Sequence, residues 1–187
     1  LSEAVVNNNA DFGISVDPDV DRLALICENG QPFGEEYTLV SVADYLLSRI
    51  YNEALQTGKS IEEIAAPYQM VTSSNLSSSR ALRDVTEQYG GEYCTAAVGE
   101  VNVTTKMREA GALIGGEGNG GVIYPALHYG RDAMVGVALF LTNLAYKKMK
   151  VSELRASYPE YVIAKNKIEL SDSALIDRIL DEVKTVY

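Results

Sequence analysis

Alternating apolar and polar positions predict two short strands near the start of the chain. A helix ending near Glu3 to Val6 precedes the first strand, which runs from Asp11 to Val16. The second strand runs from Leu23 to Cys27 and is closed by Asn29-Gly30, a strong signal for a tight turn. The acidic segment from Asp17 to Arg22 therefore joins two strands of one sheet.

Beyond Pro32 the apolar positions change to a helical period. Leu39, Ala43, Leu46 and Ile50 recur at spacings of three and four, which predicts an amphipathic helix. The elements predicted after it are a strand at Tyr68–Thr72, a helix at Ser77–Tyr89, a strand at Tyr93–Val98, a helix at Val101–Ala110, strands at Ala112–Gly115 and Val122–Tyr124, and a helix from Asp132 to Met149. Strands that alternate with helices at short intervals predict an α/β layered sheet.

The last part of the chain has a more polar composition. From Val151 onward the sequence fits a linker or the beginning of another domain. A strand is predicted from Tyr161 to Leu170, and a helix after Ser171-Asp172.

Composition supports a folded core and excludes two classes of partner. Hydrophobic residues make up 47% of the chain and charged residues 22%, which is ordinary for a globular protein. The formal net charge is -10 and no basic run occurs, so binding to nucleic acid or to an anionic membrane is not expected. The longest apolar run, Ala133 to Tyr146, is too short to span a bilayer.

Cysteine usage favours a reducing compartment. Cys27 and Cys94 are the only cysteines, lie outside any C-x-x-C spacing, and are expected to be buried thiols. No signal peptide is visible, although Leu1 is not a natural initiator. The expected location is cytoplasmic.

The acidic loop is the first candidate site. Asp17, Asp19 and Asp21 occupy alternate positions, so in an extended segment their carboxylates project to the same side. Such a set suits Mg²⁺, which prefers oxygen ligands and shares its shell with phosphate. Arg22 adds a fork-shaped donor suited to a phosphate oxygen. A solvated acidic turn explains the same spacing, and the spacing alone leaves both interpretations open.

The same segment does not form an EF-hand calcium loop. Glu28 would take the twelfth place of that loop, but Arg22 occupies the place that requires glycine. The intervening residues also read as a strand, which at about 3.3 Å per residue carries Glu28 roughly 20 Å from Asp21.

A glycine-rich segment, Gly115 to Gly121, is the second candidate site. It matches G-x-G-x-x-G, but a dinucleotide site needs a helix next, and Val122 to Tyr124 is strand-like. Glu117 would also repel a pyrophosphate. Glu117 and Asn119 among glycines suit neutral hydroxyl groups, which donate to a carboxylate and exchange hydrogen bonds with an amide. A hairpin loop without a ligand is the alternative.

Together the two loops resemble those of the α-D-phosphohexomutase superfamily. Asp17 to Arg22 matches its metal loop, D-x-D-x-D-R, and Gly116 to Gly121 is similar to the G-E-G-N-G-G variant of its sugar loop. Val98-Gly99 and Arg131-Asp132 also agree with the pattern, and the resemblance extends from Ala4 to Lys148.

The resemblance implies a layered α/β/α domain with a mixed sheet, within a four-domain polypeptide. Residues 1–31 would end the metal-binding second domain, 32–150 would form the sugar-binding third domain, and 151–187 would lead toward the fourth. The first domain, with its phosphoserine in an S-H-N-P-like motif, and the phosphate-binding loop of the fourth have no counterpart here. His128, the only histidine, is followed by Tyr129 and is interpreted as a structural loop residue.

The resemblance also implies an activity: a Mg²⁺-dependent mutase that moves a phosphoryl group between the 1- and 6-hydroxyls of a hexose phosphate, preferably glucosamine phosphate, with glucose or mannose phosphate as alternatives. The implied roles are metal binding by Asp17, Asp19 and Asp21, phosphate contact by Arg22, and substrate binding by Glu117, Asn119, Gly118 and Gly99. The isolated chain is expected to be inactive. The alternative function is a non-catalytic carbohydrate- or metal-binding module.

Two positions depart from the pattern of many family members. Ala97 stands where a lysine commonly precedes the V-G pair, and Gly121 stands where a histidine commonly closes the sugar loop. Lys106 is a candidate to replace the lysine.

Overall fold

The computed structural model describes residues 1–164, 169 and 175–186. Its helices and strands are α1 (Ser2–Asn7), β1 (Phe12–Val16), β2 (Leu23–Cys27), α2 (Glu35–Thr57), α3 (Ile61–Ala65), β3 (Gln69–Asn75), α4 (Ala81–Gln88), β4 (Glu92–Ala96), α5 (Glu100–Ala110), β5 (Ala112–Glu117), β6 (Gly121–Ile123), α6 (Ala133–Lys147), α7 (Val151–Ala156) and α8 (Leu175–Val186). No helix in these ranges is both long enough and apolar enough to cross a membrane.

The strands form two sheets. β1 and β2 pair antiparallel, with Val16 opposite Leu23, so the acidic loop connects neighbouring strand ends as predicted. The second sheet has the order β4-β3-β5-β6. β3 pairs parallel with β4 and β5, whereas β5 and β6 pair antiparallel. The sheet is therefore mixed.

Helices cover both faces of the four-stranded sheet. On one face α5 buries Val103 and Met107 against Val71 and Ile123 of the strands. On the other face α2, α4 and α6 form the larger core, whose fully buried members include Phe140 of α6. These layers confirm the α/β/α architecture. β3 is buried along almost its whole length because it lies in the centre of the sheet.

A buried carboxylate holds the helices of the larger layer together. Asp44 of α2 is 3% exposed and accepts hydrogen bonds from Tyr89 at 2.7 Å and Tyr158 at 2.9 Å. Lys147 of α6 lies 2.9 Å from the same carboxylate. The buried charge of Asp44 is therefore compensated inside the protein. Because each of the three partners comes from a different part of the chain, these contacts fix how the helices pack.

Several predicted boundaries are wrong. The helix predicted from Ser77 begins only at Ala81, because residues 77–79 form a polar loop, and β3 extends to Asn75. The short helices α3 and α7 were not predicted. Of the strand predicted at Tyr161–Leu170, residues 161–164 and 169 carry no strand, and the rest lies outside the described residues.

The two cysteines are free thiols. Cys27 is buried as expected, whereas Cys94 is half-buried.

Helix α7 and the residues after it pack on the domain. Val151 and Leu154 of α7 join the large core. The Tyr37 hydroxyl donates to the Pro159 carbonyl at 2.8 Å. Residues 151–159 are therefore packed against α2.

Candidate functional site

The acidic loop brings its three carboxylates together. One oxygen from each of Asp17, Asp19 and Asp21 lies within 4.8 Å of the others. The physical reason differs from the predicted one, because the loop is a turn and not an extended segment. Asp17 Oδ1 accepts hydrogen bonds from the backbone N–H groups of Asp21 and Arg22, both at 3.1 Å, and so folds the loop around its own carboxylate.

A strained residue fixes the loop against the last helix of the domain. Val20 has φ 58°, in the left-handed region that β-branched residues avoid. Its carbonyl accepts the backbone N–H of Ala133, the first residue of α6, at 3.1 Å. The hydrogen bond compensates the strain and sets the position of the acidic loop relative to α6.

The charges within the loop are unevenly compensated. Arg22 Nε donates to Asp17 Oδ2 at 2.6 Å. Desolvation opposes the shift, but the hydrogen bonds from Arg22 and Asp21 hold the pKa of Asp17 well below its usual range. Burial, followed by the neighbouring Asp17 carboxylate, raises the pKa of Asp21, against the attraction of Arg131. The charged form of Asp21 is thus the one that the crowded carboxylates disfavour.

The donor set fits a divalent cation. Asp21 Oδ1 is buried and has no hydrogen-bond partner among the described residues; Arg22 Nε stands 3.5 Å away, which is too long. A buried oxygen without a donor is costly unless something else satisfies it. Three convergent carboxylates with a free oxygen among them are the ligands that Mg²⁺ takes.

The glycine-rich loop is a tight hairpin between β5 and β6, with Glu117 paired to Gly121. Asn119 Oδ1 accepts the backbone N–H of Gly121 at 3.1 Å, which closes the turn. Gly118 N donates to Ser78 Oγ at 2.9 Å, and a Cβ at Gly118 would collide with the carboxylate of Glu36. Residues 77–79, predicted to be helical, therefore form the floor of this loop.

Glu117 is more constrained than its glycine neighbours suggest. It is 5% exposed, and its Oε1 accepts from Asn75 Nδ2 at 2.7 Å. Its Oε2 accepts from Arg131 Nη1, also at 2.7 Å. Because each carboxylate oxygen has two lone pairs, the carboxylate keeps capacity for further donors.

The two loops lie side by side. Arg22 and Gly121 form an antiparallel β-bridge, and Leu23 N donates to the Gly120 carbonyl at 3.1 Å. One cavity is lined by Asp17 and Arg22 from the acidic loop and by Asn119 from the glycine-rich loop. Residues separated by about a hundred positions along the chain thus face a single space.

Arg131 is a functional candidate to which no role was assigned from the sequence. Its guanidinium contacts Asp21, and it donates to Glu117 as described above. Its backbone N–H donates to Glu100 Oε1 at 3.1 Å, and its Nε lies 3.3 Å from Glu100 Oε2. The sequence contained two signals for it: Arg131-Asp132 agrees with the family pattern, and the predicted loops hold more carboxylates than Arg22 alone compensates.

The other predicted residues are more peripheral. Gly99 has φ 114° and caps the N-terminus of α5. Lys106 forms an ion pair with Glu109 of its own helix at 3.7 Å. The His128 ring accepts from Gly130 N at 3.1 Å and lies 3.0 Å from Asp132 Oδ2, so it serves the loop before α6, as expected.

Comparison with known proteins identifies the family of this chain. The family model of the phosphoglucomutase/phosphomannomutase alpha/beta/alpha domain III matches residues 42–161. A phosphoglucomutase/phosphomannomutase of Thermococcus kodakarensis is 31% identical over 96% of this chain and 36% of its own length. A phosphoglucosamine/phosphogalactosamine mutase of Sulfurisphaera tokodaii is 29% identical over the whole chain and 38% of its own length.

A solved structure shows the same fold. The crystal structure of a phosphoglucomutase/phosphomannomutase family protein from Burkholderia thailandensis superimposes with a TM-score of 0.66 at 24% identity, over 86% of this chain and 31% of that one. The chain spans about a third of the length of the curated relatives it matches. The chain belongs to the phosphoglucomutase/phosphomannomutase family and contains its alpha/beta/alpha domain III.

Proposed function

We propose that this chain is the part of a phosphohexomutase that holds the metal ion and the sugar. The whole enzyme moves a phosphoryl group between the 1- and 6-hydroxyls of a hexose phosphate, through a phosphoserine and a bisphosphate intermediate. Each transfer breaks one P–O bond and forms another. The observation that carries the proposal is the pairing of Arg22 with Gly121, which places the acidic and glycine-rich loops on one cavity.

In this proposal Asp17, Asp19 and Asp21 hold Mg²⁺. The converging carboxylates and the unpartnered Asp21 oxygen support the assignment. When bound, the metal neutralises charge on the phosphoryl oxygens. Arg22 contacts the phosphate, since its Nε is held by Asp17 and its side chain is half exposed.

The sugar-binding residues in this proposal are Glu117, Asn119, Gly118 and Gly99. Asn119 lines the shared cavity, and its Nδ2 makes no hydrogen bond within the described ranges. Glu117 accepts hydroxyl donors with the lone pairs that Asn75 and Arg131 leave open. Because both residues hold ring hydroxyls and not the phosphate, a bisphosphate is recognised in either orientation.

The substrate we favour is glucosamine phosphate, which the name of the Sulfurisphaera tokodaii relative includes. Glucose and mannose phosphate, from the name of the Thermococcus kodakarensis relative, are the alternatives. The domain limits we propose are 1–31 for the metal-binding domain, 32–150 for the sugar-binding domain and 151–187 for the connection to the fourth. We place the enzyme in the cytoplasm, where the free thiols Cys27 and Cys94 stay reduced.

The test is made in the whole enzyme encoded by the parent gene, in a coupled assay of hexose 1-phosphate turnover. Asp19→Ala should reduce kcat/KM by at least a hundredfold, about 2.7 kcal/mol of transition-state stabilisation, with circular dichroism unchanged. Asp11→Ala, an exposed acidic residue outside the loop, is the matched control and should keep normal turnover. Near-normal turnover of Asp19→Ala at limiting Mg²⁺ would exclude the metal assignment.

A further inference from the structure

We propose that Arg131 couples the two loops, so that the charge of Glu117 and the ligand bound to it set the affinity of the acidic loop for a divalent cation. This inference rests on the metal site of the proposed function and adds a positioning residue to it. The alternative is a purely structural ion pair that leaves cation affinity unchanged.

The geometry gives one guanidinium to three carboxylates. Nη2 contacts Asp21 of the acidic loop, Nη1 donates to Glu117 at 2.7 Å, and Nε lies 3.3 Å from Glu100. Arg131 keeps only 20% of its side chain exposed, so solvent screens these contacts weakly. A planar fork that holds two carboxylates at once fixes their relative position.

Asp21 is the member that connects this fork to the cation. Arg131 contacts Oδ2 of Asp21. The buried Oδ1 of Asp21 has no hydrogen-bond partner among residues the structure describes. Arg131 thereby orients the Asp21 carboxylate, one oxygen of which lies within 4.8 Å of an oxygen each from Asp17 and Asp19. The strength with which Arg131 holds Asp21 depends on how much of the positive charge of Arg131 is compensated by Glu100 and Glu117.

Neutralising Glu117 should therefore weaken cation binding. With Glu117 uncharged, Arg131 carries more uncompensated positive charge, repels the cation and holds Asp21 more tightly. A direct charge effect of Glu117 would act equally with or without Arg131, so additivity separates the two explanations. By linkage, a hydroxyl ligand that binds Glu117 changes the affinity for the metal by a certain factor, and the metal changes the affinity for that ligand by the same factor.

The structure also explains how the guanidinium reaches this position. A Cβ at Gly121 would lie 2.5 Å from Arg131 Cδ and 3.2 Å from Cγ. Only glycine at this position leaves room for the stem to cross the hairpin and reach Asp21 and Glu117. Gly121 and Arg131 thus form a matched pair.

The experiment measures Mn²⁺ affinity of the 187-residue chain by calorimetry at fixed ionic strength, together with thermal unfolding of each variant. Glu117→Gln, which is isosteric, should weaken Mn²⁺ binding about fivefold or more. In an Arg131→Met background the same substitution should change affinity about twofold or less. Arg83→Met, which removes an arginine paired with Asp84 on α4, is the matched control and should leave affinity unchanged.

Each outcome decides the proposal. Equal effects of Glu117→Gln in both backgrounds, or no effect in either, would overturn it while leaving the metal site in place. If Asp19→Asn binds Mn²⁺ as well as the unmodified chain does, the metal site itself is wrong and the coupling falls with it. If Arg131→Met does not fold, Arg131→Gln replaces it, because a neutral amide carries no charge to redistribute and should abolish the coupling equally.

Discussion

At the scale of single residues, the hairpin between β5 and β6 depends on a missing side chain. Gly121 does not have a positive φ, so an L-residue fits its backbone conformation. What excludes a larger residue is the stem of Arg131, which carboxylates of three different elements hold in place. The requirement for glycine at this position is therefore steric and comes from a distant residue.

Gly121→Ala should accordingly destabilise the chain by about 1–3 kcal/mol, the usual cost of overpacking. The measurement is urea unfolding, and the control is the same substitution in an Arg131→Ala background, where the obstructing atoms are gone. We expect the cost of Gly121→Ala to fall by at least half there. An equal cost in both backgrounds would mean that some other contact excludes the methyl group.

The sequence predicted the candidate residues better than their partners. The spacing of Asp17, Asp19 and Asp21 led to a correct expectation that they converge, although through the wrong local conformation. The contacts of Arg131 were not predictable, since its partners lie 14 to 110 positions away and local patterns carry no record of such distances. The same holds for Asn75, which reaches Glu117 across the sheet.

At the scale of elements, α6 begins at the candidate site. Asp132 Oδ1 accepts the backbone N–H of Val135 at 3.0 Å and caps the helix. The backbone N–H of Ala133, the first residue of the helix, donates to the carbonyl of Val20 in the acidic loop. The cap therefore stabilises both the helix and the hydrogen bond that anchors the acidic loop to it.

Asp132→Ala should cost about 1 kcal/mol at pH 7 because one helix N–H loses its acceptor. Asp132→Asn, which keeps an accepting oxygen, should cost only a few tenths and serves as the control. Chemical unfolding of the three proteins measures both values. Equal losses in the two variants would show that the charge of Asp132, and not the cap hydrogen bond, is what matters.

The cap should also depend on pH, with a defined sign. Despite desolvation, the hydrogen bonds from Val135 and His128 lower the pKa of Asp132. A carboxylate with a lowered folded pKa stabilises the fold fully above its unfolded pKa, near 3.9. Its contribution is lost as the pH falls through the folded value, so the difference in unfolding free energy between Asp132→Ala and the unmodified chain should shrink below about pH 4.

Element boundaries were predicted less well than element types. α3 and α7 have only five and six residues, too few for a periodic signal. α4 begins four residues late because Ser78 and Ser79 instead bind Gly118 N and the carboxylate of Glu36. Tertiary hydrogen bonds at the site thus override a local preference for helix.

At the scale of the whole molecule, the candidate site lies where the parallel strands of the mixed sheet end. Asn75 ends β3 and Glu117 ends β5, and these strands run parallel, so both side chains lie at the carboxyl edge of the sheet. Ligands of open α/β sheets bind at this edge. The β1–β2 sheet contributes the acidic loop to it through the bridge from Arg22 to Gly121.

In the proposed function this arrangement supplies binding groups, and the phosphoryl donor comes from elsewhere in the whole enzyme. Within these 187 residues the only histidine is His128, which is followed by Tyr129, so the sequence contains no serine-histidine motif of the type the family uses. His128 itself is occupied by Gly130 and Asp132. The transfer that we propose for the whole enzyme therefore needs a residue that these 187 do not include.

A polypeptide of these 187 residues alone should consequently show no mutase turnover. The assay supplies hexose 1-phosphate, Mg²⁺ and a hexose bisphosphate activator, and couples the 6-phosphate product to a dehydrogenase. The expected rate equals that of a protein-free blank, while the whole enzyme from the parent gene, assayed in parallel, shows that the coupling works. Phosphoryl transfer depends on positioned groups and charge, and a metal and sugar site without a phosphorylated nucleophile has nothing to transfer. Turnover clearly above the blank, lost again in Asp19→Ala, would show that these residues contain a complete active site and would refute the division of labour proposed here.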